Sequence, residues 1–245
     1  MSSLQDIAKS SSSMGVNQFK LHLLLVEAAL ETIPREIWSH PLVRKHSKTR
    51  SKPPAFILFD LSFHYQAAKK LPDLHKRGRP DIVHFCLLEA LGSPLNKRGL
   101  LEVYVHTYSD YVIWINPETR LPRHYLRFCG LIEQLFEVRK VPPESEKPLL
   151  TLEKMTLSEL LMKLRPDRVF LLDERGERIS ATELARKVLS YSRPAVMIGA
   201  FQAGSFREET YRLAHEVYSI YPEALDAWVV VARVLTAIEL QLGIL

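Results

Sequence analysis

The sequence predicts an α/β fold in which a mostly parallel sheet is covered by helices on both faces. Two observations carry this. Short apolar runs of strand length alternate with segments of helical period, the order that parallel strands with helical crossovers require. Runs such as Leu21-His22-Leu23-Leu24-Leu25-Val26 are apolar at nearly every position, as in strands covered on both faces. With 245 residues and 47% hydrophobic content, the chain can bury one full core.

The elements follow in order. Residues 1–18 are Ser-rich and read as a flexible N-terminal tail, with no continuous apolar segment of the secretory kind. The first strand at Leu21 to Val26 is followed by helix formers from Glu27 to Thr32 that stop at Pro34. A basic loop is expected next, then a second buried strand at Ala55-Phe56-Ile57-Leu58-Phe59-Asp60 and a short helix from His64 to Leu71. Pro80 opens a helix, since its missing N–H costs nothing at the first helical position, and Asp81 complements the dipole there. Apolar residues around its circumference predict a helix buried on all sides, ended by Gly92-Ser93-Pro94.

Leu101–Thr107 and Tyr111–Asn116 alternate and share a turn at Ser109-Asp110, which predicts a β-hairpin with one wet face. Pro122 is expected to start the next helix, with Tyr125, Phe128, Ile132, Leu135 and Phe136 on one side and Arg123 and Arg127 on the other. After a loop at Pro142 to Lys147, a strand is expected at Leu149–Glu153. Thr156 and Glu159 then form a capping-box pattern. A strand at Arg168–Asp173, a turn at 174–177, a helix at Ala181–Ser190 and a last strand at Ala195–Phe201 complete the alternation. Helices fill Glu208–His215 and Glu223–Gln241. The apolar run from Trp228 to Leu245 contains Arg233 and Glu239, which favours a buried helix over a membrane span.

The formal charge is +5, a weak pointer to an anionic partner, but its distribution says more. No acidic residue falls between His40 and Phe59, where Arg44, Lys45, Lys48, Arg50 and Lys52 all lie. Such a run reads equally well as a solvated loop. Cys86 and Cys129, the only cysteines, sit in apolar helical runs and read as structural thiols. His64, His75 and His84 lack the carboxylate or cysteine spacing of a metal site. No serine stands at a strand-to-helix elbow, which argues against nucleophilic hydrolysis. Gly199 to Gly204 is neither a dinucleotide fingerprint nor a phosphate loop, yet it follows a strand, where ligands of open parallel sheets lie.

Between Lys76 and Gly130, two arginine groups bracket a carboxylate, which suits a polyanion with a reactive part. Gly78-Arg79-Pro80-Asp81-Ile82-Val83-His84, Ser93-Pro94-Leu95-Asn96-Lys97, Asn116-Pro117-Glu118-Thr119-Arg120-Leu121-Pro122-Arg123 and Arg127-Phe128-Cys129-Gly130-Leu131 occur in that order. Together they resemble the ribosome-biogenesis pseudouridine-N1 methyltransferases, a family of the α/β-knot (SPOUT) superfamily of archaea and eukaryotes. Gly199-Ala200-Phe201-x-x-Gly204 and Ser219-Ile220-Tyr221-Pro222 also fit, whereas Glu223-Ala224 replace small and apolar residues. The resemblance reaches from about Leu21 to the C-terminus, is densest from Arg79 to Leu135, and points to an archaeal member.

The resemblance implies one α/β-knot methyltransferase domain over residues 19–245, with a C-terminal trefoil knot and an inserted hairpin at about 100–117. S-adenosylmethionine would lie against Leu172, Gly199, Gly204 and the segment Val217, Tyr218, Ser219, Ile220, Tyr221 and Pro222. Arg79 and Asp81 would serve catalysis beside the target base, and Arg120, Arg123 and Arg127 would join them in holding small-subunit ribosomal RNA that contains a pseudouridine. A homodimer is implied, with small-subunit ribosomal proteins as further partners, no membrane, and a cytoplasmic location (nucleolar in a eukaryotic source). Two alternatives stand beside this reading: an RNA-binding assembly factor in which methylation is secondary or absent, and a knotted methyltransferase acting on another RNA position.

Overall fold

A computed structural model describes residues 19–245; the tail expected over residues 1–18 lies outside the described residues. The strands are β1 (Leu21–Ala28), β2 (Leu101–Thr107), β3 (Tyr111–Ile115), β4 (Lys140–Val141), β5 (Leu150–Lys154), β6 (Arg168–Arg178), β7 (Pro194–Gly199) and β8 (Glu216–Ser219). They form one sheet in the order β4-β5-β3-β2-β1-β7-β6-β8. The half from β2 to β8 is parallel, and β3, β5 and β4 extend it antiparallel. The central strand β1 is fully buried along its length, which is why its sequence is apolar on both faces.

The helices are α1 (Pro41–Arg50), α2 (Leu61–Ala68), α3 (Pro80–Gly92), α4 (Pro94–Lys97), α5 (Tyr125–Val138), α6 (Leu157–Leu164), α7 (Ala181–Leu189), α8 (Glu208–Leu213) and α9 (Ala227–Gln241). Strand alternation divides the core. Leu21, Leu23 and Leu25 pack with α3, α5, α7 and α9 on one face, while Leu24 and Val26 pack with α6 and residues of α8 on the other. Helix α6 buries Leu157, Leu160, Leu161 and Leu164, the i, i+3, i+4, i+7 stripe of an amphipathic helix. Each such side chain contributes about 1.5–3 kcal/mol when fully buried. The capping box expected at Thr156 and Glu159 is present, and Ser180 with Glu183 makes a second one at α7. Among the described residues no helix is long and apolar enough to cross a membrane.

Several expectations are corrected. Glu27 and Ala28 belong to β1, and residues 29–32 form no helix; Thr32 bridges to Leu58 instead. Tertiary pairing overrides the helix propensity here, because the Glu27 and Glu31 carboxylates are turned inward to cations. The basic segment is not a loop but forms α1, with Pro41 at its first position and His40 Nδ1 accepting from the Leu42 N–H. The strand expected at Ala55–Asp60 is a 3-10 turn followed by that single bridge. Helix α3 is not buried all round, since Phe85 is 49% exposed. The presumed wet face of β2 is covered, with Tyr104 and His106 buried. Helix α5 begins at Tyr125 rather than Pro122, and the turn expected at 174–177 lies within β6. The edge strand β8 was not expected at all: at four residues, with Glu216 and Ser219 at its ends, it carries little periodic signal.

Both cysteines sit in helices as expected, Cys86 buried and Cys129 half-buried. Burial pushes the Cys86 thiol up to about 12 and the Cys129 thiol to about 11, which leaves both inert.

A satellite cluster of Ile33, Ile37, Val43, Ile57, Phe59, Ala68 and Leu71 holds α1 and α2 together. Inside it the Asp60 N–H donates to His64 Nδ1 (3.2 Å), so His64 Nε2–H donates to His46 Nδ1 (2.8 Å). Burial, with His46 beside it, pushes the His64 imidazole down to about 4. A histidine depressed in the folded state binds its proton first in the unfolded chain. Its share of stability is therefore full above about pH 6.5 and lost as pH falls toward about 4. Urea unfolding of the parent across that interval is expected to show a loss that His64→Gln shows more weakly; identical pH slopes would clear His64 of the effect.

Candidate functional site

Four turns converge at the carboxyl ends of β1, β6, β7 and β8. The chain leaves β1 through Glu27, which has φ of 48°, and the Glu27 side chain is fully buried. It accepts from Lys76 Nζ (2.6 Å), the Arg207 N–H (2.8 Å) and Thr210 Oγ1 (2.7 Å). Lys76 Nζ also lies 4.7 Å from the centre of the Phe201 ring. One residue on, Arg77 makes a bidentate pair with Glu31 (2.7 and 2.9 Å). Buried charge pairs therefore hold the turn before α3 against the segment after β7.

These turns border an open cleft of about 370 Å³. Its floor is Leu172, Ile198 and Gly199 at the strand ends; Tyr218, Ser219, Ile220 and Tyr221 form one wall, and Phe201 to Phe206 another. Glycine is required twice. A Cβ on Gly199 would lie 2.9 Å from the Phe201 and Phe206 rings. Gly204 has φ of +97°, and its Cβ would meet the His75 ring at 2.6 Å. The bare backbone at Gly204 thus makes room for His75, and a side chain there would be strained as well.

Arg79 stands on the rim. Its Nε and Nη2 donate to the two Asp81 oxygens (2.9 and 2.7 Å) and its Nη1 donates to Gln202 Oε1 (2.9 Å). The hydrogen bonds to Asp81 hold the guanidinium above its ordinary value. Asp81 sits in the first turn of α3 as expected, but both its oxygens point at Arg79 rather than at the helix N-terminus.

The rest of the arginine group is placed by polar contacts. His84 on α3 bonds the Pro122 carbonyl through Nε2 (2.7 Å) and stacks on Phe128 with ring centres 4.2 Å apart. Asn96 Nδ2 donates to the carbonyls of Leu91 and Pro117, each at 3.0 Å. The 117–124 connection is thereby fastened to α3 and α4. It presents Arg120 and Arg123 to solvent, with Arg127 exposed on the first turn of α5.

Of the residues singled out in sequence, Arg79, Leu172, Gly199, Gly204 and Tyr218 to Tyr221 come together at the cleft. Val217 does not line it: strand alternation turns its side chain to the opposite face, among residues packed by α6 and α8. Pro222 is exposed and outside the lining, and Arg120, Arg123 and Arg127 lie beyond the rim. Gln202 and Trp228 also line the cleft and were not anticipated. Gln202 lies between the two glycines and could have been weighed with them, whereas nothing in the sequence around Trp228 distinguishes it from core.

An α/β protein with a cleft at the carboxyl ends of its parallel strands belongs to the class whose small ligands lie at that place. Comparison with known proteins narrows this. Residues 23–239 match the family model described as EMG1/NEP1 methyltransferase. Two relatives named Ribosomal RNA small subunit methyltransferase Nep1 illustrate the match. That of Staphylothermus marinus is 44% identical over 219 residues, 89% of this chain and 95% of the relative. That of Thermococcus kodakarensis is 45% identical over 224 residues, 91% of this chain and 100% of the relative. The solved structure of Archaeoglobus fulgidus Nep1 bound to S-adenosylhomocysteine superposes with a TM-score of 0.80 at 41% identity, covering 90% of this chain and 98% of that one. The chain belongs to the EMG1/NEP1 methyltransferase family.

The cleft depends on Glu27. Glu27→Ala is expected to destabilise the protein by about 3–5 kcal/mol, because it leaves the Lys76 ammonium buried without its partner. Guanidinium unfolding measures this, and a loss below about 1 kcal/mol, the scale of an exposed pair, would show the pair to be dispensable.

Proposed function

We propose that the chain transfers the methyl group of S-adenosylmethionine to N1 of a pseudouridine in small-subunit ribosomal RNA during ribosome biogenesis. The observation that carries this reading is the cleft itself, with Arg79 held over its mouth by Asp81 and Gln202. The residues present fit the donor. Gly199 and Gly204 let the Phe201, Phe206 and His75 rings pack against the bare backbone that borders the cleft, apolar Ile198 and Ile220 suit a purine face, and polar groups of the 202–205 and 219–221 segments border it. S-adenosylmethionine supplies a methyl carbon made electrophilic by its sulfonium.

The other steps fall to the chain's own side chains and the RNA. Pseudouridine has an N1–H, and that nitrogen must shed its proton to become a nucleophile. Arg79 at the rim stabilises negative charge that develops on the ring carbonyls. Asp81 fixes the Arg79 guanidinium, and its carboxylate is a group that can orient or accept the N1 proton. The base reaches the cleft by leaving its stack, as looped RNA permits. Arg120, Arg123 and Arg127, outside the cleft and exposed, suit phosphate contacts that set register. The assembly-factor reading uses the same arginines but gives no role to the cleft.

The proposal extends to the trefoil knot and the homodimer. Leu172 and Glu177, on two legs of β6, both register with Tyr218 of β8, an arrangement that favours a chain threaded through its own loop. Exposed Phe85 and Leu126, with Phe85 packed on Trp228 at the cleft edge, favour a second copy that completes the site.

Asp81→Asn tests the chemistry. At saturating substrates the methylation rate is expected to fall about 10²-fold or more. The melting temperature should barely move, because a partly exposed pair contributes about 1 kcal/mol or less. Arg127→Ala, the control, should weaken RNA binding and make its salt dependence shallower by about 0.7–0.9 in log–log slope, with the saturated rate preserved. Full single-turnover activity of the asparagine variant would confine Asp81 to structure.

Gly204→Val tests the donor site. Displacing His75 and straining the turn should weaken S-adenosylmethionine binding by calorimetry while RNA affinity is kept. Equal donor affinity in the two proteins would move the site away from this turn.

A further inference from the structure

The acid-free segment that forms α1 has no part in the mechanism above. Between His40 and Pro72 the only carboxylate is Asp60, which is buried and accepts from the Ser62 N–H and the Tyr125 hydroxyl. Arg50 and Lys52 at the end of this stretch are neutralised by Glu133 and Glu137 of α5. Arg44, Lys45 and Lys48 are different. They are exposed on α1, and Lys69 and Lys70 are exposed just past α2. Among the described residues none of these five cations pairs with a carboxylate. Clustered like charges repel, so a surface of this kind is relieved by a polyanion.

Charge alone would be a solvated face. The second observation is aromatic. Phe63 and Tyr65 of α2 are 52% and 51% exposed, although their neighbours His64 and Ala68 supply the buried side of that helix. Phe63 stacks on His46 of α1 at 5.5 Å, and the Lys69 ammonium lies over the Tyr65 ring at 5.6 Å. Phe63 and Tyr65, two positions apart, stand on opposite flanks of α2, one ring engaged by His46 and the other by Lys69. Half-exposed rings set among cations without carboxylate partners are what unpaired nucleotides require, bases stacking on the rings and phosphates meeting the cations. An acidic protein segment would use the cations and leave the rings without a role.

The third observation is continuity. The Tyr125 hydroxyl of α5 reaches Asp60 at the start of α2, so this surface adjoins the end of α5 that presents Arg123 and Arg127.

We infer that α1 and α2 form a second RNA-contact surface, which takes single-stranded nucleotides flanking the loop whose base enters the cleft. This rests on the RNA-methyltransferase reading above and names a further contact for the same substrate.

The test compares two RNAs on the full chain: a small-subunit loop with the target pseudouridine, and the same loop with single-stranded flanks. Phe63→Ala with Tyr65→Ala is expected to weaken the flanked RNA about tenfold, the scale of lost base stacking. Lys45→Ala with Lys48→Ala should make its log–log salt slope shallower by about 1.4, from two single-strand phosphate contacts. The short loop should bind both variants as it binds the parent, and its methylation rate at saturation should be unchanged. The lysine pair is solvent-exposed, so it keeps the test intact if the aromatic variant folds poorly. Unchanged affinity for the flanked RNA would overturn the proposal; equal losses on both RNAs would overturn it as well. A parent chain that prefers the flanked RNA yet methylates neither RNA would refute the methyltransferase reading and keep this surface.

Discussion

The geometry of the cleft depends on one buried carboxylate. Glu27 ends the central strand in a left-handed turn and collects partners from segments 49, 180 and 183 residues away in sequence. Taking a carboxylate and an ammonium out of water costs several kcal/mol each, and only well-formed hydrogen bonds offset this. The arrangement therefore holds as a set: the turn before α3, the segment after β7 and the start of α8 meet at a single point. Glu31 and Arg77 repeat the device one turn away, and Arg77 lies 4.8 Å from the Tyr108 ring, which Arg207 also approaches at 4.8 Å. Directional ionic contacts join apolar packing in setting the positions of these turns.

This divides the molecule by dielectric. Charges inside the turns are shielded from salt, whereas Arg120, Arg123, Arg127 and the cations of α1 stand in solvent and are screened within about 8–10 Å at ordinary ionic strength. The cleft and the exposed cations thus answer to different variables, the first to shape and the second to ionic conditions. Arg79 belongs to both, half-buried, fixed by Asp81 and Gln202, and open toward the outside.

Much of this was legible in the sequence, and the exceptions share a cause. Helix α6 carried its apolar period and capping box in the sequence, and α3 its opening proline. The family resemblance brought Arg79, Gly199, Gly204 and Tyr218 to Tyr221 to one place, although they span most of the chain. Where reading failed, long-range contact had displaced local preference. Residues 29–32 favour helix alone but make a tight turn at Leu30 and the bridge at Thr32, because Glu27 and Glu31 reach cations that the sequence does not announce as partners. Helix α1 hides behind its charges, since Val43 is its only buried residue. Strand β8 is too short to show a period, and missing it also concealed that Val217 and Tyr218 face opposite sides of the sheet. The roles of His84 and Asn96, fastening the arginine-bearing connection, have no signature short of the fold.

Residues 174–177 read like a surface turn, with Glu174 and Arg175 exposed. Yet a Cβ on Gly176 would stand 2.6 Å from the backbone of Tyr218, and β6 engages that residue from both sides of the bend. For anyone modifying the protein, this bend is the wrong place for a tag, a fluorophore or a permuted terminus. An addition there would push on the strand that walls the cleft, so the apparent spare connection is a structural one.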